Sequence, residues 1–405
     1  MSHVSSSRVA ARLASLSAAP RRRDARASRA PATKSRRGAH IVFDASPRGS
    51  PPAAVDAVVF TVIVDDLVFP DGTTKMCVMG GGGPQTAFGL RAHPSDLTVG
   101  IAAGVGSDLP FECASWLDAN GVDTAGLALV RDRAADADTS DAADRWEGGG
   151  ADPSDFLPRD HPAPPPHLPT PRAWQITEFD GRRTQVWRTQ PSPALYAMLR
   201  PPASTLPPSY AAARAFHVGV HPERPDLDLL AAIRAANPSA VISVEPFTAA
   251  VAPVPLDTLR RLCASCDVFS PNELEAVSMV GPGEPAELCD RLVAAGAKTV
   301  CVRRGERGAV VRDALSGETW SLPAAIESQA DVVDVTGCGN AFCGGFLASV
   351  LAGESTVEAA AWGSAAASLM AEAVGVPEEA AGTDRVRAEA KRRAETLATR
   401  AVRIA

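Results

Sequence analysis

The chain has 405 residues, 45% of them apolar and 21% charged, which is enough for one large α/β domain or two smaller ones. It carries a formal −7, yet its first 40 residues hold ten Arg or Lys against Asp24 alone, so the remainder stands at −16. A body that acidic argues against nucleic acid or anionic membrane as a general partner, and no run reaches the ~18 consecutive apolar residues of a membrane span.

In chain order, residues 1–40 are basic, Ser-rich and acid-poor, with no apolar h-region before a small-residue cleavage site. That is the composition of a disordered organellar transit peptide, with the chloroplast favoured over the mitochondrion; without import the protein would be cytoplasmic. Residues 41–54, with Pro47, Gly49, Pro51 and Pro52, read as a linker, and a single catalytic-type domain is expected over 55–385. Its first strand is the β-branched run Ala57–Val64, the kind of run that suits a strand buried on both faces of a parallel sheet. Similar runs recur at 97–101, 215–218, 240–244, 268–270 and 299–302, separated by helix-like segments at 225–236, 255–264, 273–280 and 284–295. Strands alternating with helices imply βαβ units, hence a mostly parallel sheet with helices on both faces.

Residues 131–172 interrupt this pattern with Asp, Ala, Gly and then Pro, and read as a disordered insertion. A hairpin is expected from 173–179 and 182–187 around Asp180-Gly181. An Ala-rich helix is expected over 356–372, and residues 386–405 belong to a charged terminal helix that begins at Asp384. The eight cysteines form no disulfide framework; Cys263 and Cys266 have redox-type spacing without a second pair and read as core residues.

Five stretches carry the chemistry. Asp65 and Asp66 are adjacent acids where the first strand should end, which is the ligand rim of a parallel sheet. Gly80 to Gly83, with Gln85 following, open a helix after a strand. Asn272 and Glu275 share one helix face at i,i+3 spacing. Arg303, Gly305 and Gly308 mark a turn between two strands. Last, Asp334-Val335-Thr336-Gly337-Cys338-Gly339-Asn340 runs straight into an apolar helix. Glycines there let bare backbone N–H groups converge, and the helix N-terminus adds partial positive charge, which together make an anion hole.

The order of these five stretches resembles the PfkB (ribokinase-like) carbohydrate kinases, from about Val55 to Pro377. The resemblance implies a three-layer αβα sandwich with a small or reduced lid near 67–72, and an ATP-dependent transfer of the γ-phosphoryl group to a hydroxyl of a sugar or nucleoside. It places Asp65 or Asp66, with Gly81, Gly82, Gly83 and Gln85, at the acceptor. Asn272, Arg303, Gly305, Gly308, Gly337 and Gly339 fall on the nucleotide side. Glu275 is implied to order Mg²⁺ through water, and Asp334 and Thr336 a monovalent cation such as K⁺. Gly337, Cys338 and Gly339 fall in the catalytic loop, and the family's usual base, an Asp, is Asn340 here, an amide that cannot accept a proton. Two further departures are Gln85, where Asn is usual, and Arg303, near a usual Thr; this cation either meets a phosphate or fills an otherwise empty space. A second reading follows from these departures: a weak or inactive nucleotide- or sugar-binding protein serving as an organellar sensor or scaffold. A Rossmann oxidoreductase is disfavoured, because no Gly-x-Gly-x-x-Gly follows the first strand. Oligomeric state follows from nothing in the sequence.

Overall fold

The structure, a computed structural model, describes residues 41–44, 54–132, 168–179, 182–326 and 328–405. The N-terminal half contains β1 (Ile41–Asp44), β2 (Ala57–Phe60), β3 (Ile63–Val68), β4 (Thr74–Gly80), α1 (Gly82–Ala92), β5 (Val99–Val105), α2 (Phe111–Ala119), β6 (Val122–Asp132), β7 (Arg172–Thr177), β8 (Arg183–Trp187) and α3 (Pro193–Leu199). The C-terminal half continues with α4 (Pro208–Ala211), β9 (Ala215–Val220), α5 (Leu227–Ala236), β10 (Val241–Pro246), α6 (Leu256–Ser265), β11 (Val268–Phe269), α7 (Glu273–Val280), α8 (Pro285–Ala294) and β12 (Thr299–Arg303). It closes with β13 (Ala309–Asp313), β14 (Thr319–Leu322), α9 (Cys338–Ala352), α10 (Thr356–Ala371), α11 (Asp384–Arg400) and β15 (Val402–Arg403).

Among the described residues, eleven strands form one sheet in the order β1-β6-β5-β2-β9-β10-β11-β12-β13-β14-β15. The strands from β6 to β12 run parallel, and antiparallel strands close both edges. Period-two alternation divides β2 between two cores. Ala57 and Val59 pack with Phe88 of α1 and Phe346 of α9, while Val58 and Phe60 pack with Leu230 of α5 and Leu262 of α6. Helices on both faces give the three-layer αβα arrangement expected from the alternating pattern. No helix among the described residues is long and apolar enough to cross a membrane.

The run 57–64 is not one strand. Thr61 adopts φ 79°, a left-handed conformation that a β-branched residue rarely takes, and there the chain leaves the large sheet. β3 continues into a second sheet of order β4-β3-β7-β8. Asp65 and Asp66 therefore lie within this lid, paired with Ala173 and Trp174 of β7, and not at the end of the first sheet strand. The lid is also larger than the short segment expected near 67–72, since it includes the 173–187 hairpin.

Other boundaries move as well. Ile41–Asp44, inside the expected linker, pairs antiparallel with β6. The expected insertion keeps only its ends in the described residues: β6 runs to Asp132, and Leu168 N–H donates to Val130 C=O at 2.8 Å. Residues 1–40, including the expected transit peptide, lie outside the described residues, as do 133–167. The terminal helix is not a separate unit. Val386, Ala390, Ala394 and Leu397 of α11 are buried in the same core as α10, and β15 returns to pair with β14.

The helices start where local chemistry dictates. Ser355 and Glu358 form a capping box at α10, and Asn272 and Glu275 form one at α7. α9 is apolar on nearly every side because it is buried between α1 and α10. Small residues permit that approach: a Cβ added to Gly344 would stand 2.1 Å from Thr86 C=O, and one added to Gly89 would stand 2.1 Å from Ala341 C=O.

Candidate functional site

A cavity of about 1100 Å³ opens between the lid and the C-terminal ends of the parallel strands. That is where open α/β sheets hold ligands, because βα loops and helix N-termini converge there. Asp65, Gly81, Gly82, Gln85, Asn272, Glu275, Arg303, Gly305, Gly308, Thr336, Gly337, Cys338, Gly339 and Asn340 all border it, so most of the positions expected from sequence share one space. Asp66, Gly83 and Asp334 do not line it.

The two adjacent acids have opposite fates, as a period of two requires. Asp66 is fully buried on the far side, where the Arg172 guanidinium forks onto its oxygens at 2.7 and 2.8 Å; Arg188 and the Cys77 N–H also donate to it. Burial alone would raise its pKa, but these donors hold it below the ordinary value. Asp65 faces the cavity and accepts one hydrogen bond from Gln175 Nε2 at 2.9 Å. Burial pushes its carboxyl up to about 7, with small additions from the Asp334 and Asp66 charges, against the Gln175 hydrogen bond and the Arg183 charge. Of the pair, Asp65 is the acid that faces the cavity.

Opposite the lid stands the N-terminus of α9. Gly337 is left-handed at φ 83°, and a Cβ there would meet the Gln85 side chain at 2.5 Å. Cys338 N–H turns back to Val335 C=O, and Ala341 N–H to Gly337 C=O. Helix geometry leaves the intervening amides, Gly339 and Asn340, without intrahelical acceptors, which is the anion-hole arrangement expected from the glycines. Asp334 closes this loop: its two oxygens accept the N–H groups of Thr336 and Gly375, both at 2.9 Å. Each oxygen retains lone pairs, and an all-oxygen donor set suits a hard cation such as K⁺.

Asn340 does not stand alone. Its Nδ2 donates to Gln85 Oε1 at 2.7 Å, so two of the three departures from the family pattern are bonded to each other. The third, Arg303, is 12% exposed and lies in a nest of acids. Its Nη2 donates to Ser270 C=O at 2.7 Å and stands 3.0 Å from Glu245 and 3.7 Å from Glu275. The other arm of the fork abuts Gly339, where an added Cβ would be 2.0 Å from Nη1.

The Mg²⁺ role implied for Glu275 does not fit these residues. Its Oε2 accepts the Asn272 N–H at 2.7 Å, completing the α7 capping box, and the same oxygen faces the Arg303 cation. Burial raises its carboxyl to about 7 despite that cation and the Asn272 N–H, which weakens it further as a metal ligand near neutrality. Two like unit charges ~4 Å apart repel by about 4 kcal/mol at an effective dielectric near 20, and a divalent ion doubles this.

Glu245 and His217 escape sequence reasoning: Glu245 closes the apolar run of β10, and His217 lies inside β9. Glu245 Oε1 lies 3.5 Å from His217 Nε2, and its Oε2 takes the Cys343 thiol at 3.4 Å. Burial opposes its charge, but Arg303, His217 and Cys343 hold its pKa below the ordinary value. Cys263 and Cys266 are fully buried away from the cavity, and burial pushes the Cys263 thiol to about 12, so both are packing residues.

Comparison with known proteins agrees with this architecture. Residues 202–380 match the pfkB family carbohydrate kinase. The cytidine kinase of Thermococcus kodakarensis is 31% identical over 153 residues, 38% of this chain and 53% of that protein. The ribokinase of Arabidopsis thaliana is 34% identical over 121 residues, 29% of this chain and 31% of that one. The matched stretch thus spans about half, or less, of these curated relatives. The solved structure of Arabidopsis thaliana ribokinase complexed with ribose and ATP shares the fold, with a TM-score of 0.55 at 18% identity over 85% of this chain and 99% of that one. Residues 202–380 thus carry the pfkB family carbohydrate kinase match, and the three-layer architecture with a separate lid sheet is the fold of the ribokinase-like structures.

Proposed function

We propose that this protein is an ATP-dependent phosphotransferase acting on a hydroxyl of a small sugar or nucleoside. One observation carries the reading: a single cavity joins a lid carboxylate, Asp65, to the free amides at the N-terminus of α9. The acceptor would lie under the lid with a hydroxyl on Asp65, and the triphosphate would run to Gly339 and Asn340. The names of the relatives, a ribokinase and a cytidine kinase, support a polyhydroxy acceptor. K⁺, where present, would sit by Asp334 and Thr336 and offset phosphate charge.

Asn340 cannot take the acceptor's proton. A positioned base contributes about 10²–10⁴-fold, whereas positioning and charge stabilisation supply most of phosphoryl transfer. The natural enzyme is therefore slow, with Asp65 as the carboxylate on the acceptor side able to take a proton near neutral pH. The second reading, a nucleotide- and sugar-binding protein without turnover, is favoured by one contact: the Asn340–Gln85 bond ties up both amides. ADP formation measured against a panel of pentoses, hexoses and nucleosides separates the two. Acceptor-dependent ADP supports the kinase; ATP binding with no ADP from any acceptor supports the binding protein.

A further inference from the structure

Resting on the nucleotide-site reading above, we infer that Arg303 replaces the divalent cation at the phosphate end of the cavity, so that polyphosphate binds this protein without Mg²⁺. The residues that would gather a metal there, Glu245 and Glu275, already share the Arg303 guanidinium, at 3.0 and 3.7 Å. A divalent ion would have to displace a largely buried cation from two carboxylates, or sit against it. Neither is favourable where water is scarce.

The guanidinium is placed to serve a ligand as well as its acids. Nη2 is committed to Ser270 C=O and the carboxylates, but Nη1 lies against Gly339, the residue whose amide opens the anion hole. Nε is buried with no hydrogen-bond partner. Nearby, His217 borders the cavity, 3% exposed, with its Nε2 3.5 Å from Glu245 Oε1. A buried guanidinium N–H without a partner is rare in folded chains, and one beside an anion hole calls for a ligand. A guanidinium offers planar, paired donors that match phosphate oxygens, and its charge does not titrate. Glu245 and Glu275 hold it in place, which leaves the α9 amides and Nη1 converging on one anion.

The test is nucleotide affinity with and without metal, measured calorimetrically on the full chain with ADP and, separately, with inorganic tripolyphosphate. The wild-type dissociation constant for ADP should agree within about threefold in EDTA and in excess Mg²⁺. Arg303→Thr should lose about 10- to 100-fold in EDTA, the range of a charge-assisted hydrogen bond, and recover most of it on adding Mg²⁺. Glu275→Gln combined with Arg303→Met removes one of the two acids that the first substitution strands, while Glu245 keeps His217 and Cys343 as partners, so a folding defect in the single variant does not decide the matter; the pair should show the same loss in EDTA. A tenfold or greater loss of wild-type affinity in EDTA overturns the inference, as does full affinity in EDTA for the double variant. Tripolyphosphate binding that is metal-independent while ADP does not bind upholds the Arg303 site and refutes the nucleotide reading. No binding of either probe refutes both.

Discussion

Asn340 and Gln85 are bonded to each other, so neither departure from the family pattern is understood singly. Replacing the amide by a carboxylate keeps the partnership, because Gln85 can turn its Nε2 toward the new oxygen. Asn340→Asp should therefore fold normally and raise turnover by about 10²–10⁴-fold, read as kcat on the best acceptor. An unchanged kcat would place the base elsewhere, with Asp65 the first candidate. Asp65 makes its own prediction through pH. Its carboxyl titrates at about 7 in the folded chain against an ordinary 3.8. The folded state holds the extra proton between these values, so the stability from this group is full below about 3.8 and is lost as pH rises through 7. Asp65→Asn keeps an oxygen for Gln175 without the charge. It should be more stable than the wild type by about 4 kcal/mol near pH 8, with the advantage shrinking as the pH falls and gone below about 3.8. It should also abolish the rise in rate centred near pH 7. Equal pH dependence of melting in both forms would refute the buried-acid account. Glu275 titrates in the same range, so the comparison must be between the two forms and not between two pH values of one.

At the scale of elements, the signature helix is positioned by close backbone contact. α9 rests on α1 through Gly344 and Gly89 and on α10 through Gly345, whose added Cβ would lie 2.6 Å from Trp362 C=O. Gly344→Val should force the helices apart, costing about 1–3 kcal/mol or more and lowering the melting temperature by several degrees. Because that shift also moves Gly339 and Asn340 from Gln85, nucleotide affinity should fall in the same variant when measured below its melting temperature. Unchanged melting would mean that the interface yields freely. These contacts explain what the sequence could and could not disclose. The parallel strands were legible, because continuous apolar runs such as 241–244 have few other homes. The start of α9 was legible from Gly337 and Gly339, whose spacing before an apolar run is local. The lid was not, since β3 pairs with β7 across more than a hundred residues, Val64 opposite Arg172. Nor does hydropathy reveal the reversal at Thr61, which is a matter of one backbone angle. Glu245 went unread because a single acid after an apolar run is common; its meaning comes from Arg303, nearly sixty residues later.

For the whole molecule, the account rests on one spatial claim: lid, sheet rim and α9 enclose a space in which an acceptor and a nucleotide meet. The antiparallel edges, the terminal helix and β15 surround this space without bordering it. Asn120 of α2's end, accepting the Ala381 N–H at 2.9 Å, and Trp116, donating to Pro377 C=O at 2.8 Å, tie the segment after α10 to the N-terminal half. Such ties hold the two sides of the cavity in one body, so binding should stabilise the chain as a unit. The most direct measurement is a crystal structure with ADP and a bound pentose or nucleoside. The account predicts the β-phosphate within hydrogen-bond distance of the Gly339 and Asn340 amides and of Arg303, and an acceptor hydroxyl on Asp65. Nucleotide density away from the α9 N-terminus, or an acceptor that leaves Asp65 without a contact, would contradict it.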